Sequence, residues 1–306
     1  MNPIETEGLT RRYWRHEAVH DLSFHVPEGS VSALLGPNGA GKTTTLKMLM
    51  NLLAPSSGVA RVLGVEAARL GERERQQIGY VSENQQQPLW MTVRQLLDYC
   101  RPFYPTWDRE LEAKLLVDFD LPEKRKLSQL SRGMLMKAVL LSSLAYRPKL
   151  LVLDEPFSGL DPLARHEFVA GLIEAARLGD WTVLVSSHDI DDVEKLVDRA
   201  VMIDAGRLVL QESTDELAAR FRRVEVQLEA TTPTAFAGAP LATWWEWAHE
   251  GARVQFVDSD FDPARTEAAC RECFPAAQVR ALPMSLREIF ISLARARRRS
   301  AKGAAA

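Results

Sequence analysis

The run Gly36-Pro37-Asn38-Gly39-Ala40-Gly41-Lys42-Thr43 constrains this chain more than any other feature. It matches the spacing G-x-x-x-x-G-K-[ST], follows a β-type run at Ser30–Leu35 and opens a helical pattern at Lys42–Leu53. Strand, tight loop and helix in that order predict a phosphate site. The glycines let successive backbone N–H groups turn inward around phosphate oxygens, and the helix N-terminus adds its positive end. Lys42 would reach the β- and γ-phosphates, and the Thr43 hydroxyl would bind Mg²⁺.

A second piece is Leu150-Leu151-Val152-Leu153-Asp154-Glu155. An apolar strand ending in Asp puts a carboxylate at the C-terminal edge of a parallel sheet, where α/β proteins bind ligands. Asp154 would hold Mg²⁺ there, directly or through water. Glu155, one residue on, is placed to polarise a water for in-line attack on the γ-phosphate. Alone, an apolar run before Asp-Glu reads as a solvated strand end. With the phosphate loop it predicts a nucleoside triphosphatase.

Around these motifs the chain alternates β-type runs with helical patterns, as α/β folds do. The runs Leu150–Leu153 and Thr182–Ser186 lack polar alternation and flank a helical stretch Pro162–Leu178. That composition suits a parallel sheet buried on both faces. Val93–Leu121 and Ser131–Tyr146 read as mostly helical and interrupt the alternation, as an inserted subdomain would. Composition shifts near Glu212–Arg223. Beyond it lie the β-type run Val224–Leu228, a small-residue loop Thr231–Pro240, and a hairpin of Thr243–Ala248 with Arg253–Val257 turning at His249-Glu250-Gly251. An amphipathic helix, Ser285–Arg299, ends in Arg295, Arg297, Arg298 and Arg299. Those arginines suit the negative end of a helix, with anionic lipid headgroups as the alternative.

Size and charge exclude several classes. At 306 residues the chain is long enough for two domains, each with its own core. No run approaches the ~20 apolar residues that a membrane-spanning helix needs, and Met1–Thr10 lacks the layout of a signal peptide. The net charge of −3 gives no reason to expect a nucleic-acid partner. Three cysteines make no disulfide framework, which points to a reducing compartment. Cys270 and Cys273 form a C-x-x-C with no second pair to complete a zinc site, so they read as two incidental thiols on a helix.

Three further motifs narrow the class. Leu130-Ser131-Arg132-Gly133-Met134 precedes a helix upstream of Asp154; Glu155 continues as Pro156-Phe157-Ser158-Gly159-Leu160-Asp161; and Ser186-Ser187-His188-Asp189 closes another strand. With these, residues 4 to 215 resemble the ATP-binding subunits of ABC transporters, the motifs standing in family order and spacing. The resemblance implies an α/β fold with a P-loop NTPase core, a mostly parallel sheet, an inserted helical subdomain at about 85–147, and a C-terminal α+β accessory domain. It divides the chain into an ATP-binding domain, 1–215, and the accessory domain, 216–306.

It also implies roles. Tyr13 looks like the residue that stacks on adenine, with Trp14 as its rival. Gly36, Pro37, Asn38, Gly39, Ala40, Gly41, Lys42, Thr43 and Thr44 look like the phosphate loop. Asp154 and Glu155 look like the Mg²⁺ carboxylate and the catalytic base, and His188 like the histidine that hydrogen-bonds the γ-phosphate. Ser131, Arg132 and Gly133 occupy the signature that contacts ATP bound by the other subunit, and Asp161 resembles the residue that links the two sites. Physical chemistry agrees at Ser131, where a capping hydroxyl and a helix N-terminus make an anion site.

Two motifs depart from the family pattern, at three positions. The signature commonly reads Leu-Ser-Gly-Gly-Gln, and here Arg132 and Met134 replace its first Gly and its Gln. The loss of the Gln removes one contact to ribose or phosphate, which Arg132 would replace. The family usually places a Gln, ligating Mg²⁺, where this chain has Glu83. A carboxylate is the stronger ligand but adds negative charge near the γ-phosphate. Glu83 is expected to fill that role, so that Glu83→Gln keeps ATPase activity within several-fold; Gln85 reaching the metal through a bulged loop is the alternative.

With no internal repeat, one chain supplies half of each closed site. The resemblance therefore implies a homodimer, or pairing with a related ATPase subunit, with ATP and Mg²⁺ as ligands. It also implies a separately encoded transmembrane permease that holds the chain on the inner face of the cell membrane. The aromatics of Leu89-Trp90-Met91 and Tyr99–Trp107 fall where such a partner docks. The phrase from Ser82 to Val93 with a C-terminal domain looks most like ATPases of ABC-2-type exporters. A soluble, regulatory ATPase is the competing class, with Trp244, Trp245 and Trp247 either binding a ligand or filling a core.

Overall fold

The computed structural model describes residues 2–177, 181–191, 193–228, 241–274 and 277–303, with side chains excepted at 175–177 and 298–303. The chain divides into two compact units, Met1–Gln211 and Glu212–Ala306.

The first unit begins with two long antiparallel strands, β1 (Ile4–Tyr13) and β2 (His16–Val26). The strand β3 (Val31–Leu35) then enters the phosphate loop, and α1 (Lys42–Leu49) leaves it. After β4 (Ser57–Val62) and β5 (Val65–Glu66) come the short α2 (Glu72–Arg75) and β6 (Ile78–Ser82). Three helices follow: α3 (Val93–Cys100), α4 (Arg109–Asp118) and α5 (Arg132–Leu144). Their starts are written in the sequence, because Thr92, Asp108 and Ser131 each cap a free backbone N–H with a side-chain oxygen. Both α3 and α4 pack on α5. The helical block expected at about 85–147 is this group.

The chain returns to the sheet with β7 (Leu150–Asp154), α6 (Pro162–Arg177), β8 (Thr182–Ser187), β9 (Arg199–Asp204) and β10 (Arg207–Ser213). A six-stranded sheet forms in the order β10-β9-β3-β8-β7-β6, parallel throughout from β9 to β6. All five residues of β7 are buried. Leu150, Leu151, Val152 and Leu153 each contribute roughly 1.5–3 kcal/mol by leaving water, which fixes the strand end that carries Asp154.

The antiparallel sheet β2-β1-β4-β5 was not expected from sequence. It shares one hydrophobic cluster with α1 and the parallel sheet, joining Leu9, Val19, Leu22 and Phe24 to Leu46, Leu49, Val152 and Leu184. The helix α1 is shorter than expected, ending at Leu49 rather than Leu53. For α6, the structure describes helix to Arg177, and its expected end at Leu178 lies outside the described residues.

The second unit holds α7 (Thr214–Arg220), β11 (Arg222–Gln227), β12 (Trp244–Glu250), β13 (Arg253–Asp258), α8 (Pro263–Cys273), β14 (Gln278–Pro283) and α9 (Leu286–Gly303). Its antiparallel sheet runs β12-β13-β11-β14. The expected hairpin is present, but it turns at Gly251-Ala252, because Glu250 still pairs with Arg253. Trp244 and Trp247 stack on Phe256 at 4.2 and 4.6 Å between centroids, and Trp245 meets Phe221 edge-on. The tryptophan cluster is therefore core. Cys270 and Cys273 sit in the same core, where burial pushes the Cys270 thiol up to about 12. Both thiols are packing residues. Arg295 pairs with Glu246, while the expected loop Thr231–Pro240 and the side chains of Arg298 and Arg299 lie outside the described residues.

Candidate nucleotide site

Strand register builds the site. Across the parallel sheet Ser82 stands beside Asp154, and Asp154 beside Ser186, so one row of polar groups forms where these strands end. The Asp154 carboxylate accepts hydrogen bonds from Ser186 Oγ at 2.9 Å, Thr43 Oγ1 at 3.0 Å and Ser82 Oγ at 3.5 Å. Burial raises the Asp154 carboxyl above the usual range; the Ser186 and Thr43 hydroxyls pull it back, and the charge of Glu155 pushes it up again. Ser82 and Ser186 are neighbours of Asp154 to which the sequence reading gave no role. Their signal was the polar residue closing an otherwise apolar strand.

Directly after β7 the chain turns sharply, with Glu155 at φ +50°. A non-glycine residue holds that conformation at a cost, which the surroundings must supply. Here they do: the Glu155 backbone N–H donates to Ser186 Oγ at 2.9 Å, and both carboxylate oxygens are engaged. One lies 3.1 Å from Lys42 Nζ, and the other 2.7 Å from His188 Nδ1. Lys42 Nζ also donates to the Gly36 and Pro37 carbonyls, at 2.7 and 3.2 Å. Gly36 must be glycine, since a Cβ there would lie 2.3 Å from the carbonyl oxygen of Ile203.

A cavity of about 620 Å³ opens onto this cluster. Of the expected residues it brings together Tyr13, Asn38, Gly39, Gly41, Lys42, Thr43, Thr44, Glu83, Glu155 and His188. It adds His16 and Ala18, which carried no motif, and Ser158, which lay in a motif without a role. Ala40 is buried, its N–H donating to Pro37 O, and so braces the loop rather than lining the cavity. Tyr13 has the Arg11 guanidinium over its ring at 4.7 Å from the centroid. Trp14, its rival, is fully exposed and lines none of this cavity.

The signature residues stand elsewhere. Ser131 Oγ accepts from Met134 N–H at 3.2 Å, capping α5. Ser131 and Asp161 line a separate recess along α6, where the Asp161 carboxylate accepts from the N–H groups of Leu163 and Ala164. Gly133 lets α5 approach α6, since a Cβ there would meet Ala164 at 2.7 Å. Arg132, expected at the partner's nucleotide, donates to Glu83 of its own chain at 3.2 Å.

The donor set fits Mg²⁺. The Thr43 hydroxyl and Asp154 carboxylate are hard oxygen ligands, and Mg²⁺ binds through one or two carboxylates with substrate phosphates and water. Among the described residues no group of three or more His, Cys, Asp or Glu side chains is placed to hold a metal ion, so the phosphates would have to supply the rest. Of the residues expected where a partner docks, Leu89, Trp90, Tyr99 and Phe103 face solvent, whereas Met91 is buried. No described helix is long and apolar enough to cross a membrane.

Comparison with known proteins agrees with this geometry. The family model described as "ABC transporter" matches residues 19–158. The uncharacterized ABC transporter ATP-binding protein YxlF of Bacillus subtilis (strain 168) is 35% identical over 219 residues, covering 70% of this chain and 72% of that protein. The Nod factor export ATP-binding protein I of Burkholderia orbicola (strain AU 1054) is 38% identical over 214 residues, covering 68% and 70%. A solved structure of an ATP-binding subunit of an ABC transporter superposes with a TM-score of 0.63 at 29% identity, covering 71% of this chain and 92% of that one.

Proposed function

This chain belongs to the ATP-binding proteins of the ABC transporter family, and from that premise we propose that it dimerises on ATP and powers export through a separately encoded transmembrane permease. It is an ATP-binding subunit of a transporter and an ATPase. Cassettes of this family work as dimers with transmembrane partners. A homodimer is the simplest arrangement for a chain with one set of motifs. In this reading residues 1–215 form the ATP-binding domain and 216–306 an accessory domain.

One observation carries the mechanism: two adjacent carboxylates at one strand end have different partners. Among the described residues the Asp154 carboxylate accepts from hydroxyls, one of them Thr43, as the metal-side carboxylate should. Glu155 stands between Lys42 and His188 in the same cavity, and would orient the attacking water. Lys42, held at the loop by two carbonyls, would move its ammonium onto the β- and γ-phosphates. Mg²⁺, when bound with ATP, would neutralise charge on the phosphate oxygens, held by Thr43 and Asp154 with Glu83 as a further ligand. His188 would hold the γ-phosphate while its other contact keeps Glu155 in place. Tyr13 would stack on adenine at the far end of the cavity. Ser131, Arg132 and Gly133 would complete the site of the second subunit, with Asp161 linking the two. Catalysis is then positioning and electrostatics, with little covalent work for the protein.

The export direction rests on the relative named for Nod factor export. Co-expression with a protein of about six hydrophobic spans encoded beside this chain is the test. The reading expects this chain in the membrane fraction only when that protein is present. Recovery in the soluble fraction regardless of that protein would contradict it.

A further inference from the structure

Two of the positions at which this chain departs from the pattern it resembles, Glu83 and Arg132, meet in space across 49 residues of sequence. Arg132 Nη2 donates to Glu83 Oε2 at 3.2 Å. The same guanidinium covers Gly159, where a Cβ would stand 2.7 Å from Cζ and Nη1. Gly159 holds φ +67° in the segment that leaves Glu155, so the backbone favours glycine there, and the guanidinium packs into the space that the missing side chain leaves. Glu83 in turn donates its N–H to the Asp154 carbonyl at 3.2 Å. Arg132 thus ties the start of α5 to the residue after β6 and to the segment after Glu155.

Each charge is unfavourable by itself. Arg132 is the first residue of α5, at the positive end of the helix dipole, where a cation is disfavoured. Glu83 lines the cavity with Lys42 and Glu155, so its carboxylate adds negative charge where a triphosphate must sit. Together the two charges cancel. The site keeps the local neutrality that an amide and a glycine at these positions would give.

We propose that Arg132 is a positioning residue that holds and neutralises Glu83, the two forming one charge-compensated unit at the triphosphate end of the nucleotide cavity. This rests on the ATP-binding reading above. It follows that the two substitutions depend on each other. Without Arg132 the Glu83 carboxylate repels the incoming phosphates; without both charges nothing is left to compensate.

The experiment is a double-mutant cycle on the full chain: wild type, Glu83→Gln, Arg132→Gln and the double variant. Mg·ATP affinity and KM are read over a salt series, with unfolding midpoints showing that each form is folded. Arg132→Gln is expected to weaken Mg·ATP binding about fivefold at low salt when Glu83 is present, and less than about twofold in the Glu83→Gln background. The coupling should fade as salt screens the half-exposed pair. Arg132→Lys restores the charge without the planar fork and should recover most of the affinity. An equal effect of Arg132→Gln in both backgrounds, a coupling insensitive to salt, or Arg132→Lys no better than Arg132→Gln would overturn the unit. A wild-type chain that fails to bind Mg·ATP would overturn the ATP reading and the unit together; additive effects on measurable binding overturn the unit alone.

Discussion

Each unit of this chain buries an aspartate at the end of a strand, and the two aspartates do different work. Asp154 ends β7 and Asp258 ends β13, and both are essentially inaccessible to water. Asp258 accepts from Trp244 Nε1 at 3.1 Å, from Thr266 Oγ1 at 2.6 Å and from the Asp260 N–H. Its donors pin β12 and α8 onto one core. Asp154 is held by hydroxyls, which can rotate to another acceptor, and its neighbours Lys42, Thr43 and Glu155 line the cavity. Burial and strand position are common to both. What separates them is their partners: an indole and a hydroxyl of one core for Asp258, and a hydroxyl that lines a cavity for Asp154.

Variants can break that contrast, beginning with the largest expected effect. Lys42→Ala should lower ATP turnover by about 10²–10³-fold, since a phosphate-facing donor is lost from the site. A steady-state phosphate-release assay reads it, and a loss under tenfold would put Lys42 outside the site. Asp258→Ala leaves the Trp244 and Thr266 donors buried without an acceptor and should cost the second unit about 3 kcal/mol. Urea unfolding followed by tryptophan fluorescence measures this, and turnover is expected to stay within about twofold because the Asp258 side chain is bonded to Trp244, Thr266 and Asp260 of its own unit. Lost turnover in a folded Asp258→Ala chain would erase the distinction.

A third carboxylate sharpens it. Glu112 is buried in the helical group, where it accepts from Trp107 Nε1 at 2.7 Å and pairs with Arg101 and Arg94. Burial alone would raise its carboxyl, but those donors outweigh burial and hold it below its ordinary value of 4.5. A lowered folded value means that the stabilisation is complete above the ordinary value and is lost as pH falls through the folded one. Glu112→Gln should therefore cost about 2 kcal/mol near neutrality. Thermal melts should show that gap narrowing in acid, below about pH 4; a gap independent of pH would remove the charge from the account. Smallest is Tyr13→Ala, which should weaken ATP binding about tenfold through lost base stacking. The exposed Trp14→Ala is the matched control in the same titration, and an equal loss there would reverse their assignment.

The site was more legible than the fold around it. Lys42, Thr43, Asp154, Glu155 and His188 announce themselves because phosphate chemistry demands fixed residue types at strand ends, and those strands are short and apolar. The sheet formed by β1, β2, β4 and β5 was hidden by its irregularity. Register shifts fall between Thr6 and Leu9 and between Leu9 and Arg11, near Asp21 at φ +47°, and each shift moves the apolar residues to the other phase of the alternation. Bulged strands lose the period-2 signal by which strands are recognised. The Glu83–Arg132 pair was hidden for another reason. Each residue stood out as a departure, yet only the chain path through α3 and α4 to the start of α5 brings them within 3.2 Å. The hairpin of the second unit turns at Gly251-Ala252 rather than at His249-Glu250-Gly251, because cross-strand pairing of Glu250 with Arg253 extends the first strand through Glu250.

The central claim is that Glu155, set between Lys42 and His188, orients the water that cleaves ATP. Turnover of Mg·ATP by the wild-type chain and by Glu155→Gln, each with ATP affinity and sedimentation measured on the same sample, tests it most directly. The account predicts that the Gln form binds ATP, forms a stable dimer and loses hydrolysis by about 10²–10⁴-fold. Turnover unchanged from wild type in that variant would contradict it.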